Sequence, residues 1–104
     1  MRRGTTPTFT FEVDLDLTGW DTYITFEQRK VEITRKNPAI TPTNDGCIAE
    51  VELTQAETLA FKEGTAKAQL RAIKDGEAVA STEFDFEVFG ILLDGEIPQE
   101  VNNG

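Results

Sequence analysis

The chain has no histidine and a single cysteine, Cys47. Without an imidazole, the common general bases and many metal sites are absent. One thiol permits no internal disulfide, and a cysteine nucleophile would have no histidine to activate it. Cys47 lies in an alternating apolar stretch, so it reads as a buried free thiol. Ser81 is the sole serine, and it sits mid-strand with no base beside it. Cations are scarce too. Ten Lys and Arg face nineteen Asp and Glu, for a net charge of −9. That balance argues against a nucleic-acid backbone, which needs clustered Lys and Arg. It argues equally against an anionic membrane surface.

Glycine-rich phosphate loops and internal repeats are missing as well. Apolar runs are short, none approaching the roughly 20 residues that span a bilayer. The N-terminal Arg2-Arg3 pair is not followed by an apolar run, so no signal peptide is expected, and its two charges read as solvated at a free end. The expectation is a protein made and kept in a reducing cytosol, with neither cofactor nor metal.

What the chain does have is alternation. In Thr8–Leu17, Phe9, Phe11, Val13, Leu15 and Leu17 share one face, and Thr8, Thr10, Glu12, Asp14 and Asp16 share the other. Period two marks a strand with one buried and one wet face. Thr18-Gly19 turns the chain. Trp20, Thr22, Ile24 and Phe26 then share a face of a second strand, whose aromatic and β-branched content suits a pleated surface. After a turn at Gln28-Arg29, residues 30–36 form a short strand with Val31 and Ile33 inward. Pro38, Pro42 and Asn44-Asp45-Gly46 make residues 37–46 a loop.

Cys47, Ala49, Val51 and Leu53 form the inner face of the next strand. The period then changes. Thr54 and Glu57 make a T-x-x-E capping box, which opens a short helix near residues 55–62 that Gly64 stops. Ala66, Ala68, Leu70 and Ala72 lie on one face of residues 65–74. Asp75-Gly76 is a hairpin turn. Residues 77–89 return with Ala78, Ala80, Phe84, Phe86 and Val88 inward.

Closely spaced strands with one wet face each predict an all-β fold. It reads as an antiparallel immunoglobulin-like β-sandwich without the disulfide and with one short connecting helix. A small barrel is the alternative. The expected organisation is a sandwich over residues 1–89, then a C-terminal arm or last strand plus a flexible tail over residues 90–104.

Three constellations bear on function. The stretch from Asp14 to Gly19 imitates the start of an EF-hand loop, but Thr25 stands where that loop needs its bidentate glutamate. Asp14 and Asp16 are equally explained as the wet face of a strand. Carboxylate pairs suited to glycoside hydrolysis need one acid in an apolar setting, and no pair stands out in that way. No catalytic residue is therefore assigned. Tyr23, on the face opposite Trp20, is a candidate contact residue, whereas Trp20 reads as core. Phe89, Ile91, Leu92, Leu93 and Ile97 make the C-terminal stretch apolar beyond any strand alternation. It reads either as a last strand or as an exposed arm that docks on a neighbouring subunit.

Residues 2–17, RRGTTPTFTFEVDLDL, resemble the start of small β-sandwich proteins encoded in phage tail regions of Gram-positive bacteria. They are similar to the N-terminal domain of the baseplate upper protein family. That family pairs a basic residue, a Gly and a Thr-rich segment with a Phe-alternating strand. Leu53-Thr54-Gln55-Ala56-Glu57-Thr58, the following Gly64 and the Asp75-Gly76 hairpin fit the same pattern. The resemblance spans residues 2–89 and implies no catalytic residues. Larger baseplate proteins continue into host-binding or linker domains, so this chain is expected to serve as an adaptor.

The resemblance implies a non-enzymatic structural protein of a phage or prophage tail, at the baseplate or tail tip. It would be made in the bacterial cytoplasm and would reside in the virion. Its expected partners are copies of itself, as a homo-oligomer, and other tail proteins. The alternative is a small acidic phage-encoded protein that inhibits a host defence protein by occluding a basic site. A carbohydrate-binding sandwich is a third reading, weakened because Trp20 and Tyr23 face opposite ways.

Overall fold

The computed structural model describes residues 1–99. In chain order the elements are β1 (Thr8–Val13), β2 (Asp21–Gln28), β3 (Val31–Lys36), β4 (Ala39–Pro42), β5 (Cys47–Glu52), α1 (Gln55–Leu59), β6 (Gly64–Lys74), β7 (Glu77–Ala80) and β8 (Phe84–Val88). They build two antiparallel sheets. One has the order β1-β5-β4; the other runs β3-β2-β6, with both β7 and β8 on the far side of β6.

The sheets share one core because each strand turns its apolar residues the same way. Ile24 and Phe26 from β2, Leu70 from β6, Ala49 from β5 and Leu53 after it are buried, with Leu17 and Phe61 from the connections. Phenylalanines join the layers. The Phe9 ring meets Phe26 edge-on at 4.8 Å and Phe86 at 5.2 Å, and Phe11 meets Phe84 at 5.6 Å. Edge-to-face packing suits the ring quadrupole and adds to the burial itself.

The expected alternation of β5 and β6 is present, and Cys47 is buried, its Sγ donating to the Leu15 carbonyl at 3.3 Å. The capping box forms, with the Glu57 N–H donating to Thr54 Oγ1 at 3.1 Å and the Thr54 N–H to Glu57 Oε1 at 2.8 Å. The Asp75-Gly76 turn forms too, with φ of 50° and 82°, values that suit a two-residue hairpin.

Several local expectations need correction. The first strand ends at Val13 rather than Leu17. Asp16 Oδ1 accepts the Thr18 N–H at 3.0 Å, and this side-chain turn competes with the ladder. Leu15 consequently points to solvent, while Leu17 stays in the core. Trp20 precedes β2 and is only partly buried against the core. The turn after β2 is Arg29-Lys30, so Gln28 remains in the strand and is buried. Its amide clasps Lys62, donating to the carbonyl and accepting the N–H, both at 2.7 Å.

Residues 37–46 are not loop throughout, because Ala39–Pro42 pairs with β5 as an edge strand. Pro42 is tolerated at the end of an edge, where a missing N–H costs little. The helix stops at Leu59, short of residue 62, and Gly64 opens β6 instead of closing the helix.

The largest departure lies in residues 77–89. The pairs Arg71–Ala80 and Ala68–Phe84 bracket Gln69 and Leu70 on β6, but Ser81, Thr82 and Glu83 on the return. One extra residue makes a β-bulge that flips the pleat. Ser81 pins it, its N–H donating to the Leu70 carbonyl at 2.9 Å and its Oγ accepting the Leu70 N–H at 3.0 Å. Before the bulge the inward residue is therefore Val79, paired with Ala72, and Ala78 and Ala80 are exposed. After it, Phe84, Phe86 and Val88 take the inner side, Phe84 remaining 42% exposed at the edge.

Candidate functional site

The two termini meet at the end of β8. The Phe89 N–H donates to the Met1 carbonyl at 2.7 Å, and the Arg3 N–H donates to the Phe89 carbonyl at 2.9 Å. Arg2 and Phe89 thus form a parallel bridge, with the Arg2 guanidinium 5.5 Å from the Phe89 ring centroid. Arg3 Nη2 donates to the Leu59 carbonyl at 2.9 Å and Nε to the Phe61 carbonyl at 2.6 Å. It thereby satisfies carbonyls at the open C-terminus of α1, where a cation also suits the helix dipole. The solvated end expected for Arg2-Arg3 is thus corrected at Arg3, whose guanidinium is held by two carbonyls, while Arg2 stays exposed and donates to the Gly90 carbonyl at 2.6 Å.

The described part of the C-terminal stretch, residues 90–99, folds back over this junction. Ile91 packs toward Gly4 and Leu59, where a Cβ on Gly4 would meet the Ile91 side chain at 3.0 Å. Asp94 lies 3.4 Å from Arg3 Nη2. The Gln55 amide accepts the Ile97 N–H at 3.0 Å and donates to its carbonyl at 3.1 Å. The backbone is tethered, yet the apolar side chains face outward. Phe89 is 51% exposed, Leu92 fully, Leu93 71% and Ile97 56%. Five candidate residues therefore lie on one segment; four are in solvent and Ile91 is half-buried as its anchor. Residues 100–104 of the expected tail lie outside the described residues.

Tyr23 belongs to a different surface, the outer face of the larger sheet. Register places Lys36, Tyr23, Arg71 and Ala80 in one row across four strands. Lys36 Nζ stands 5.7 Å from the Tyr23 ring centroid. A shallow groove of 340 Å³ runs beside the ring, between Arg71, Ile73 and Ala78. Its floor exists because the bulge turns Ala78 outward. The constant alternation read from the sequence concealed this, and Val79 is the one residue that signals the inverted phase.

A third feature also escaped the sequence reading. β1 edges the smaller sheet and β8 edges the larger, and between them opens a groove of 380 Å³ lined by Phe9, Phe11, Phe84 and Phe86. Each Phe reads as core from its own strand, and only the pairing order shows that both strands are edges.

Two carboxyls are displaced from their ordinary range, each by local structure. Hydrogen bonds from the Thr18 hydroxyl and N–H hold Asp16 low. Burial pushes Glu57 upward, but the Thr54 N–H and the Arg35 guanidinium at 2.6 Å outweigh it and hold Glu57 low. Both belong to turn and cap geometry. Among the described residues, no three Cys, Asp or Glu side chains cluster in a way that would hold a metal ion, and no helix is long and apolar enough to cross a membrane. No protein-family model, curated protein or solved structure gives a significant match to the chain.

Proposed function

We propose that this protein is a non-enzymatic packing module of a phage or prophage tail, at the baseplate or tail tip, which associates with copies of itself and with neighbouring tail proteins. The observation that carries the packing role is the tethered C-terminal segment. Its backbone is held by Arg3 at Phe89 and by Gln55 at Ile97, while the Phe89, Leu92, Leu93 and Ile97 side chains stand in solvent. Adjacent leucines held outward from a fixed backbone cost little entropy to dock, because the chain is already ordered. An apolar patch of this kind marks a protein contact. The tail assignment rests on the resemblance of residues 2–17 and 53–58.

An immunoglobulin-like sandwich is the finer reading of the fold. The orders β1-β5-β4 and β3-β2-β6-β7 correspond to strands B-E-D and C′-C-F-G of that topology. The parallel Arg2–Phe89 bridge stands in for its first strand. No disulfide is needed, since Phe9, Phe26 and Phe86 join the sheets.

The test is co-sedimentation with tail particles from an induced source culture, read by mass spectrometry of gradient fractions. The reading expects a fixed ratio to the major tail proteins. Abundance in the lysate with absence from particles would contradict it and favour a soluble inhibitor.

A further inference from the structure

Both strand edges beside the Phe-lined groove are open, and the alternation of the backbone shows which of their groups are free. Beyond β8, the Phe89 N–H and carbonyl are taken by Met1 and Arg3, and the Glu87 carbonyl accepts the Met1 amino group at 2.7 Å. Residues of that parity therefore turn their N–H and carbonyl groups away from β6. The Asp85 N–H, the Asp85 carbonyl and the Glu87 N–H face the same open side, without a partner among the described residues. On the opposite wall the Pro7 carbonyl accepts the Leu53 N–H at 3.1 Å, so Thr10 and Glu12 turn their backbone groups away from β5. An open edge beside an apolar groove accepts an extended peptide as an added strand.

The side chains say what kind of peptide. Phe84 and Phe86 line the groove together with Phe9 and Phe11. Glu83, Asp85 and Glu87 alternate with them along the chain and are exposed, and Glu12 adds a carboxylate from the β1 wall. Among the described residues, the one cation paired with these acids is Lys67, whose Nζ lies 3.4 Å from Glu83 and 4.0 Å from Asp85. The edge is thus apolar inward and acidic outward. Its last residues already carry a strand of the complementary pattern. Met1 packs against the core, while Arg2 stands outward over the Phe89 ring.

We propose that the open part of the β8 edge binds an extended segment of a partner protein in which apolar and basic residues alternate. Its main chain pairs with Asp85 and Glu87, its apolar side chains enter the groove against the phenylalanines, and its Lys or Arg side chains lie beside the two carboxylates. Opposite charges on neighbouring strands favour that register, whereas an acidic strand would be repelled. This edge is separate from the outward Leu92 and Leu93, and its partner is selected partly by charge. The two contacts therefore respond differently to salt, which weakens this one and spares the apolar one.

The test titrates the full-length chain with a short, end-blocked peptide of alternating Lys and Val, read by calorimetry and by amide hydrogen exchange in NMR. A block peptide of the same composition, Val residues followed by Lys residues, carries the same charge without the alternation. The alternating peptide should bind, slow exchange at the Asp85 and Glu87 amides, and weaken as salt rises. The block peptide should bind at least tenfold more weakly. Asp85→Lys alters an exposed position, so it should melt near wild type while weakening the alternating peptide at least tenfold. Equal binding of the two peptides would reduce the contact to charge attraction and overturn the assignment. Failure of the alternating peptide to bind, or binding that leaves the Asp85 and Glu87 amides exchanging as in the free chain, would overturn it too. The association of Leu92 and Leu93 is read without any peptide, so the two contacts stand or fall separately.

Discussion

At the residue scale, Glu57 ties three regions together. It closes the capping box on Thr54 and pairs with Arg35 on β3, with its side chain 22% exposed. Its folded-state carboxyl is held below the usual range, so the charged form is favoured in the native state. The sign follows from linkage: the contribution is complete above the ordinary glutamate value of about 4.3 and fades as pH falls through the lower folded value. Urea denaturation between neutral and acidic pH should show Glu57→Gln losing that part of the acid dependence. Thr54→Ala should cost about 1 kcal/mol at neutral pH, since it removes the cap oxygen. Phe26 is fully buried and meets both Phe9 and Phe86, so Phe26→Ala should cost about 3–5 kcal/mol in the same assay. Thr22 differs. Its hydroxyl is buried without a hydrogen-bond partner among the described residues, so Thr22→Val should be neutral or stabilising by melting temperature.

At the scale of elements, the bulge at Ser81–Glu83 decides what the β7–β8 return presents. It turns Val79 inward and Ala78 and Ala80 outward, then returns the phase so that Phe84 and Phe86 wall the groove. Ser81→Ala should leave the Leu70 N–H without its Oγ acceptor and cost about 1–3 kcal/mol by denaturation. The turn at Gly46 is equally demanding. A Cβ there would collide with the Val13 carbonyl, so Gly46→Ala should cost about 1–3 kcal/mol through overcrowding.

These elements also mark what was legible in the sequence. Alternation announced β2, β5 and β6, and chemistry announced the cap and the Asp75-Gly76 hairpin, because these signals act within a few residues. The bulge was invisible because Ala78, Ala80 and Phe84 share one parity, and only Val79 breaks it. β4 was hidden because prolines bracket it. Gln28 and Arg3 were missed because their partners, Lys62 and Leu59, lie far away in sequence.

At the scale of the molecule, two sheets with a common core leave distinct surfaces around an acidic body. The C-terminal segment was legible as an apolar excess, but its tether to Arg3 and Gln55 is a tertiary property. The Phe-lined groove required the strand order. In this account the protein acts by where it places uncharged apolar surface, with a rigid body holding Leu92 and Leu93 outward. The measurement closest to that claim is sedimentation velocity of the wild-type chain beside a Leu92→Asp, Leu93→Asp variant, across concentration and salt. Both positions are exposed, so the variant should fold as the wild type does. The account predicts concentration-dependent association of the wild type that persists at high salt and is lost in the variant. Equal sedimentation of the two proteins as monomers at every concentration would contradict it.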